Sequence, residues 1–206
     1  MRRAPLRLVT GGLLLLLPLS GCSSDGDDQP SAAVVSAPVP GITLPPDPLR
    51  ELVPTPAEAP AGMTPLLTAT GRRDLAAIAA FSADPAAAGR ALKANGFSSA
   101  YAVQYAHPTD GRVLSVVAVR FGTVKGATAD LTADLAAAGG TKVAVEKVGD
   151  QSAASTQPLP ERGGQLLTLR FRSGATTWLV AYVARPTADP AVAVRIAKAL
   201  VARATD

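Results

Sequence analysis

Two side chains in this chain of 206 residues carry chemistry that no other residue duplicates: the thiol of Cys22 and the imidazole of His107, each present once. Cys22 closes the tetrapeptide Leu19-Ser20-Gly21-Cys22. Ahead of it stand a positive start (Arg2, Arg3, Arg7) and an apolar stretch from Leu8 to Leu19, followed by the small residues Ser20 and Gly21. That is the three-part pattern of a secretory signal. The stretch is too short for a hydrocarbon core that needs about 20 residues, and Pro18 ends any helix there. The segment therefore reads as a cleaved signal, and a thiol at its cleavage point is the attachment site of a lipid. His107 follows a strand-like run beside Asp110 and Arg112. With one imidazole, a metal site or a Ser-His-Asp triad has only one place to form. The expectation for His107 is a surface turn residue.

Leu19, Ser20, Gly21 and Cys22 resemble the lipobox of bacterial lipoproteins at every position. The resemblance covers the first 22 residues. It implies a diacylglyceryl thioether on Cys22, cleavage before Cys22, acylation of the new amino group, and a place on the outer face of the cell membrane. Each buried methylene contributes about 0.8 kcal/mol, and two acyl chains hold a protein stably where one holds it marginally. The exported chain then keeps no other thiol, so it uses no disulfide despite its location.

The remaining polar residues suggest little covalent chemistry. There is no Gly-x-Ser-x-Gly elbow, no His-Glu metalloprotease pattern, and no Gly-rich phosphate loop between strand and helix. No catalytic residue, metal or cofactor is expected. Asp110, Glu146, Asp150 and Glu161 are the carboxylates a sugar-cleaving pair would have to use. Arg170 and Arg172 alternate onto one face of a strand, and Arg120 ends another. If those strands are neighbours, the three make a basic surface that grips a carboxylate or phosphate.

Stepping outward from these residues, composition divides the chain into a signal (1–21), a tether (22–65) and one domain (66–206). The tether is dense in Pro, Ala, Ser and Asp and reads as disordered. At about 3.1 Å per residue an extended tether of this length reaches roughly 120 Å. Within it, Ile42, Leu44, Leu49, Leu52 and Val53 are apolar, so residues 42–53 either form a greasy linker or dock on the domain. By segment the charges are +3, −5 and +6, and the whole-chain value of +4 misleads because the signal is removed. A moderately basic exported domain suits anionic surroundings and not nucleic acid.

The domain reads as α+β, with a mostly antiparallel sheet of about five strands and three to four helices. The order is helix, hairpin, helix, strand, hairpin, helix. Asp84-Pro85 and Asp189-Pro190 each supply an N-cap and a first-turn proline, and a third helix covers about 124–138. Residues 73–82 carry a weaker helical pattern. Strands 101–107 and 112–121 flank the turn Pro108-Thr109-Asp110-Gly111. Strands 165–172 and 177–184 flank Ser173-Gly174-Ala175-Thr176, which pairs Phe171 with Trp178, Leu169 with Val180 and Leu167 with Tyr182. A further strand is expected over 142–148, then a long loop from Gly149 to Gly164. The first hairpin is apolar on both faces, so helices cover both sides or a second copy covers one.

The domain is also similar to uncharacterised exported lipoproteins of high-GC Gram-positive bacteria, through its Ala-rich composition, acidic Pro-rich tether and Gly149-Asp150-Gln151-Ser152. That likeness implies no activity. The leading functional expectation is a non-enzymatic binding or sensor-like module, attached to the membrane through Cys22 and meeting an envelope protein or an anionic envelope ligand. Alternatives are a homodimerising assembly partner, a lipid carrier and a carboxylate-based envelope enzyme.

Overall fold

The computed structural model describes residues 47 and 49–205. The signal, the four lipobox residues and most of the tether lie outside them. The order is β1 (Thr64–Pro65), β2 (Gly71–Arg73), α1 (Leu75–Ala79), α2 (Pro85–Ala94), β3 (Phe97–Ala106), β4 (Val113–Phe121), α3 (Val124–Ala137), β5 (Thr141–Val143), β6 (Gln151–Leu159), β7 (Gly164–Ser173), β8 (Thr176–Ala184) and α4 (Pro190–Thr205). The strands form one antiparallel sheet in the order β1-β3-β4-β8-β7-β6-β5, with β2 also paired to β3. The α+β class with a mainly antiparallel sheet stands, but the sheet has eight strands and not about five.

The helices begin where side chains can accept from orphan N–H groups. Asp74 accepts from Ala77 N at 2.8 Å, Asp84 from Ala87 N at 2.9 Å and Thr123 from Gly126 N at 3.0 Å. Both hairpins pair as their turns require. Phe171 lies opposite Trp178, Leu169 opposite Val180 and Leu167 opposite Tyr182. In the first hairpin Tyr101 faces Ala118, Val103 faces Val116 and Tyr105 faces Leu114. β4 then pairs with β8, which joins these residues into one apolar face. The Phe171 and Trp178 rings stack with centroids 5.1 Å apart.

That face is covered by α4, through Ala193, Ile196, Ala197 and Leu200, and by the chain from Leu49 to Met63. The opposite face carries Ala100, Val119 and Phe121 under α1 and α2, while α3 crosses β4, β8 and β7 with Ala127 and Leu131 buried. Helices therefore sit on both sides, which accounts for a first hairpin apolar on both faces.

Residues 49–65, assigned by composition to a disordered tether, belong to the fold. Leu49, Leu52, Val53, Ala59 and Met63 are buried in the main core. Two core side chains bind this strap through its carbonyls: Trp178 Nε1 donates to Leu52 O at 2.8 Å and Tyr105 Oη to Pro54 O at 2.7 Å. Prolines lack an N–H, so they weaken sheet and helix alike, but they do not prevent a chain with correctly spaced apolar residues from packing. The question of docking over residues 42–53 is thereby answered for Leu49, Leu52 and Val53, while 42–46 lie outside the described residues.

The expected loop of 149–164 contains β6, nine residues paired along their whole length with β7. Its small and polar composition hides it, because its strand state comes from the neighbour's ladder and from covering Leu169 with Ala154. The expected strand over 142–148 shortens to Thr141–Val143. The chain beyond it leaves the ladder, and Val148 N donates instead to Ser152 Oγ at 3.0 Å.

Candidate functional site

The end of the sheet where β4 stops and β8 starts opens into a cleft of about 660 Å³. Its walls are the β7–β8 turn (Ser173, Gly174, Ala175, Thr176), the end of β4 (Arg120, Phe121), Ser98 of β3, Asp150 ahead of β6, Leu52 of the strap and Ala204 of α4. Strand register sets this grouping. Arg120 lies opposite Thr176, and Phe121 N donates to Ala175 O at 2.9 Å. Asp150 enters because its N–H donates to Arg172 O at 2.8 Å. The chain passes so close that a Cβ at Gly149 would sit 2.3 Å from that same oxygen, and Gly149 has φ of 61°. Glycine is thus required there on two counts.

The three arginines singled out from sequence do not share a surface. β8 separates β4 from β7. Arg120 follows Ala118 on the face of the main core, whereas Arg170 and Arg172 alternate with Leu169 and Phe171 onto the opposite face. Arg170 Nε donates to Asp134 Oδ2 at 2.7 Å. Arg172 Nη1 donates to Asp150 Oδ2 at 2.7 Å and to Gly174 O at 2.9 Å. Gly174 N also donates to that Asp150 oxygen, at 2.9 Å. Arg172 Nε is buried without a partner among the described residues. The Arg120 side chain is exposed and makes no hydrogen bond or ion pair with any described residue. The cleft therefore holds one carboxylate, Asp150, whose charge is paired with Arg172 outside the lining, and one guanidinium, Arg120, without a partner among the described residues.

The candidate carboxylates are dispersed. Asp110 sits at the β3–β4 turn, at the opposite end of the sheet from Asp150, and accepts from Arg112 Nε at 2.6 Å. Burial pushes the Asp110 carboxyl up, but the N–H groups and charge of Arg112 outweigh it and hold it below its ordinary value. Glu146 pairs with Lys198 at 2.7 Å, and Glu161 lies in a short turn after β6. His107 does not stand free in solvent: its ring packs against Gly62 of the strap, and its Nδ1 lies 3.2 Å from Asp110 Oδ1. No group of three or more His, Cys, Asp or Glu among the described residues is arranged to hold a metal ion.

One perturbed acid escaped the sequence reading. Asp130 of α3 points at the sheet and accepts from Thr177 Oγ1 at 3.3 Å. Burial, helped by the nearby charge of Asp134, pushes its carboxyl up to about 6, against the opposing Thr177 hydrogen bond. The i,i+4 spacing of Asp130 and Asp134 was visible in the sequence, but the desolvation that matters comes from the sheet beneath α3.

No helix among the described residues is long and apolar enough to cross a membrane. No protein-family model and no curated protein matches the chain. Among solved structures, the extracellular domain of PknH from Mycobacterium tuberculosis is similar, with a TM-score of 0.52 and 13% sequence identity over 75% of this chain and 94% of that one. At this identity the likeness concerns the fold alone.

Proposed function

We propose that the protein is an extracytoplasmic binding module, sensor-like in kind, held on the outer face of the cell membrane by a lipid on Cys22. The cleft carries the binding half of this reading. It combines an unbalanced guanidinium, three hydroxyl side chains and apolar walls, and it lacks the juxtaposed carboxylates or nucleophile and base that hydrolysis needs. The lipobox residues carry the anchoring half, and the shared fold with an extracellular domain is consistent with the location.

Two measurements test the two halves separately. Intact mass of the protein extracted from its own membranes should show two or more acyl chains, and C22A should leave the membrane fraction. An unmodified Cys22 in membrane-bound protein would sink the anchoring half. A photo-crosslinker at Ser98 should capture a cell-envelope component that the same group at Thr109, at the far end of the sheet, does not. Equal capture at both positions would sink the binding half.

A second reading, an assembly partner, draws on Val113, Leu166 and Val183, which lie side by side on the sheet face that carries α1, α2 and α3 and stay only half-buried. Sedimentation of the purified protein decides it, since that reading requires a dimer.

A further inference from the structure

We propose that the cleft recognises a hydroxylated organic anion, a sugar carrying a carboxylate or a phosphate, with Arg120 as the group that binds the anion. The inference rests on the binding-module reading above but not on the lipid. It starts from a contrast among the arginines. Arg72, Arg112, Arg170, Arg172 and Arg203 each hold a carboxylate. Arg120, like Arg73, Arg90, Arg162, Arg185 and Arg195, holds none among the described residues, and of these it is Arg120 that lines the cleft beside the Asp150 carboxylate. Asp150 cannot serve it through Oδ2, because that oxygen already accepts from Arg172 Nη1 and Gly174 N. The net charge left for a ligand is therefore the single positive charge of Arg120.

A guanidinium offers a planar fork of donors that matches carboxylate and phosphate oxygens, and it loses its hydration more cheaply than an ammonium. The rest of the cleft selects a ligand with more than charge. The hydroxyls of Ser98, Ser173 and Thr176 make no hydrogen bond to any described residue, and none of them is sealed off as a buried orphan. Hydroxyls that both donate and accept suit a partner that does the same, as sugar hydroxyls do. The apolar side of the cleft, Leu52 and Ala204, suits the C–H face of a pyranose ring. A cleft of about 660 Å³ lies in the range that holds small organic ligands. A bare inorganic anion leaves these hydroxyls and apolar walls unused.

The test is a titration of the whole purified protein, followed by NMR shifts or calorimetry. The probes are glucuronate, glucose 6-phosphate, glucose and inorganic phosphate. The two anionic sugars should bind, at least one of them about tenfold more tightly than glucose or inorganic phosphate, and the stronger of the two identifies the anion. R120Q should reduce that binding about tenfold without moving the thermal midpoint, R120K should restore part of it, and R90Q, at an exposed position of α2, should leave it unchanged. Binding of both anionic sugars no tighter than that of glucose, unaltered binding by R120Q, or binding of inorganic phosphate as tight as that of the stronger anionic sugar would each overturn the proposal. C22A protein that still binds the sugars separates the result from the anchor. Crosslinking at Ser98 that captures only protein in cells, with no sugar binding in the titration, would overturn the ligand class while leaving a binding module standing.

Discussion

Trp178 Nε1 donates to the Leu52 carbonyl oxygen at 2.8 Å, a bond between the centre of the sheet and a segment 126 residues earlier. The indole is 2% exposed, so neither the donor nor the acceptor has water as a substitute. This relationship makes the strap part of the core. W178F keeps most of the apolar contact but leaves Leu52 O without its partner. It should lower the unfolding free energy by about 1–3 kcal/mol in chemical denaturation. A chain beginning at residue 64 should lose cooperative unfolding, since Leu49, Leu52, Val53, Ala59 and Met63 leave with it. A cooperative transition in that truncated chain would show the strap to be dispensable.

Arg203 ties the same strap to α4. Its Nη2 donates to Val53 O at 3.0 Å, its Nε to Glu51 O at 3.1 Å, and its Nη1 pairs with Glu58. Burial pushes the Glu58 carboxyl up, but the Thr55 N–H and the Arg203 guanidinium outweigh it and hold it below its usual value. A carboxyl lowered on folding adds stability above its unfolded pKa and loses it as pH falls through the folded one. R203A should therefore cost about 1–2 kcal/mol near pH 7, and less near pH 3, where a larger share of Glu58 carries a proton than at pH 7. Urea midpoints of the two proteins at both values measure the difference.

Asp130 has the opposite sign. Its carboxyl, pushed up to about 6 by burial and by Asp134, binds a proton more tightly in the folded state. Stability should fall as pH rises from about 4 to about 6 and stay lower above that. D130N removes the titration while keeping an acceptor for Thr177. At pH 8 it should be more stable than the parent by about 1–2 kcal/mol, and the two should converge below pH 4. A constant difference across that range would show that Asp130 is not the group responsible.

Two helical glycines should respond in opposite directions to alanine. Gly89 of α2 has room, because an added Cβ would lie 3.4 Å from Leu75 Cδ2 and 3.7 Å from Ala79 Cβ. Gly89→Ala should stabilise by about 0.5–1 kcal/mol through helix propensity. Gly126 of α3 is closed, because an added Cβ would lie 1.9 Å from the Asn95 carbonyl oxygen. Gly126→Ala gains the same propensity but forces α3 away from the end of α2, and a net loss of about 1–3 kcal/mol is expected. Thermal melts of the pair give the comparison directly.

What could be read in the sequence were the features that local geometry specifies. The two-residue connection at Gly174 forces Phe171 against Trp178, and Asp84-Pro85 forces a helix start, whatever lies elsewhere in the chain. The expectation of an export signal ending at Cys22 rests on neighbouring residues in the same local way. β6 and the strap were not legible, because their states depend on partners far along the chain. Ala154 is in a strand because Leu169 is opposite it, and Leu52 is buried because Trp178 and α4 are there to receive it.

The candidate site shows the same division most sharply. By residue type Arg120, Arg170 and Arg172 were equivalent. Only the tertiary structure distinguishes them, because it brings Asp134 to Arg170 across 36 residues and Asp150 to Arg172 across 22, and sends Arg120 to the other face. Charge neutralisation depends on distance in space, and a linear sequence does not contain that distance. The expectation for Cys22, by contrast, draws only on the residues immediately before it, so it needs no distance that the linear sequence lacks.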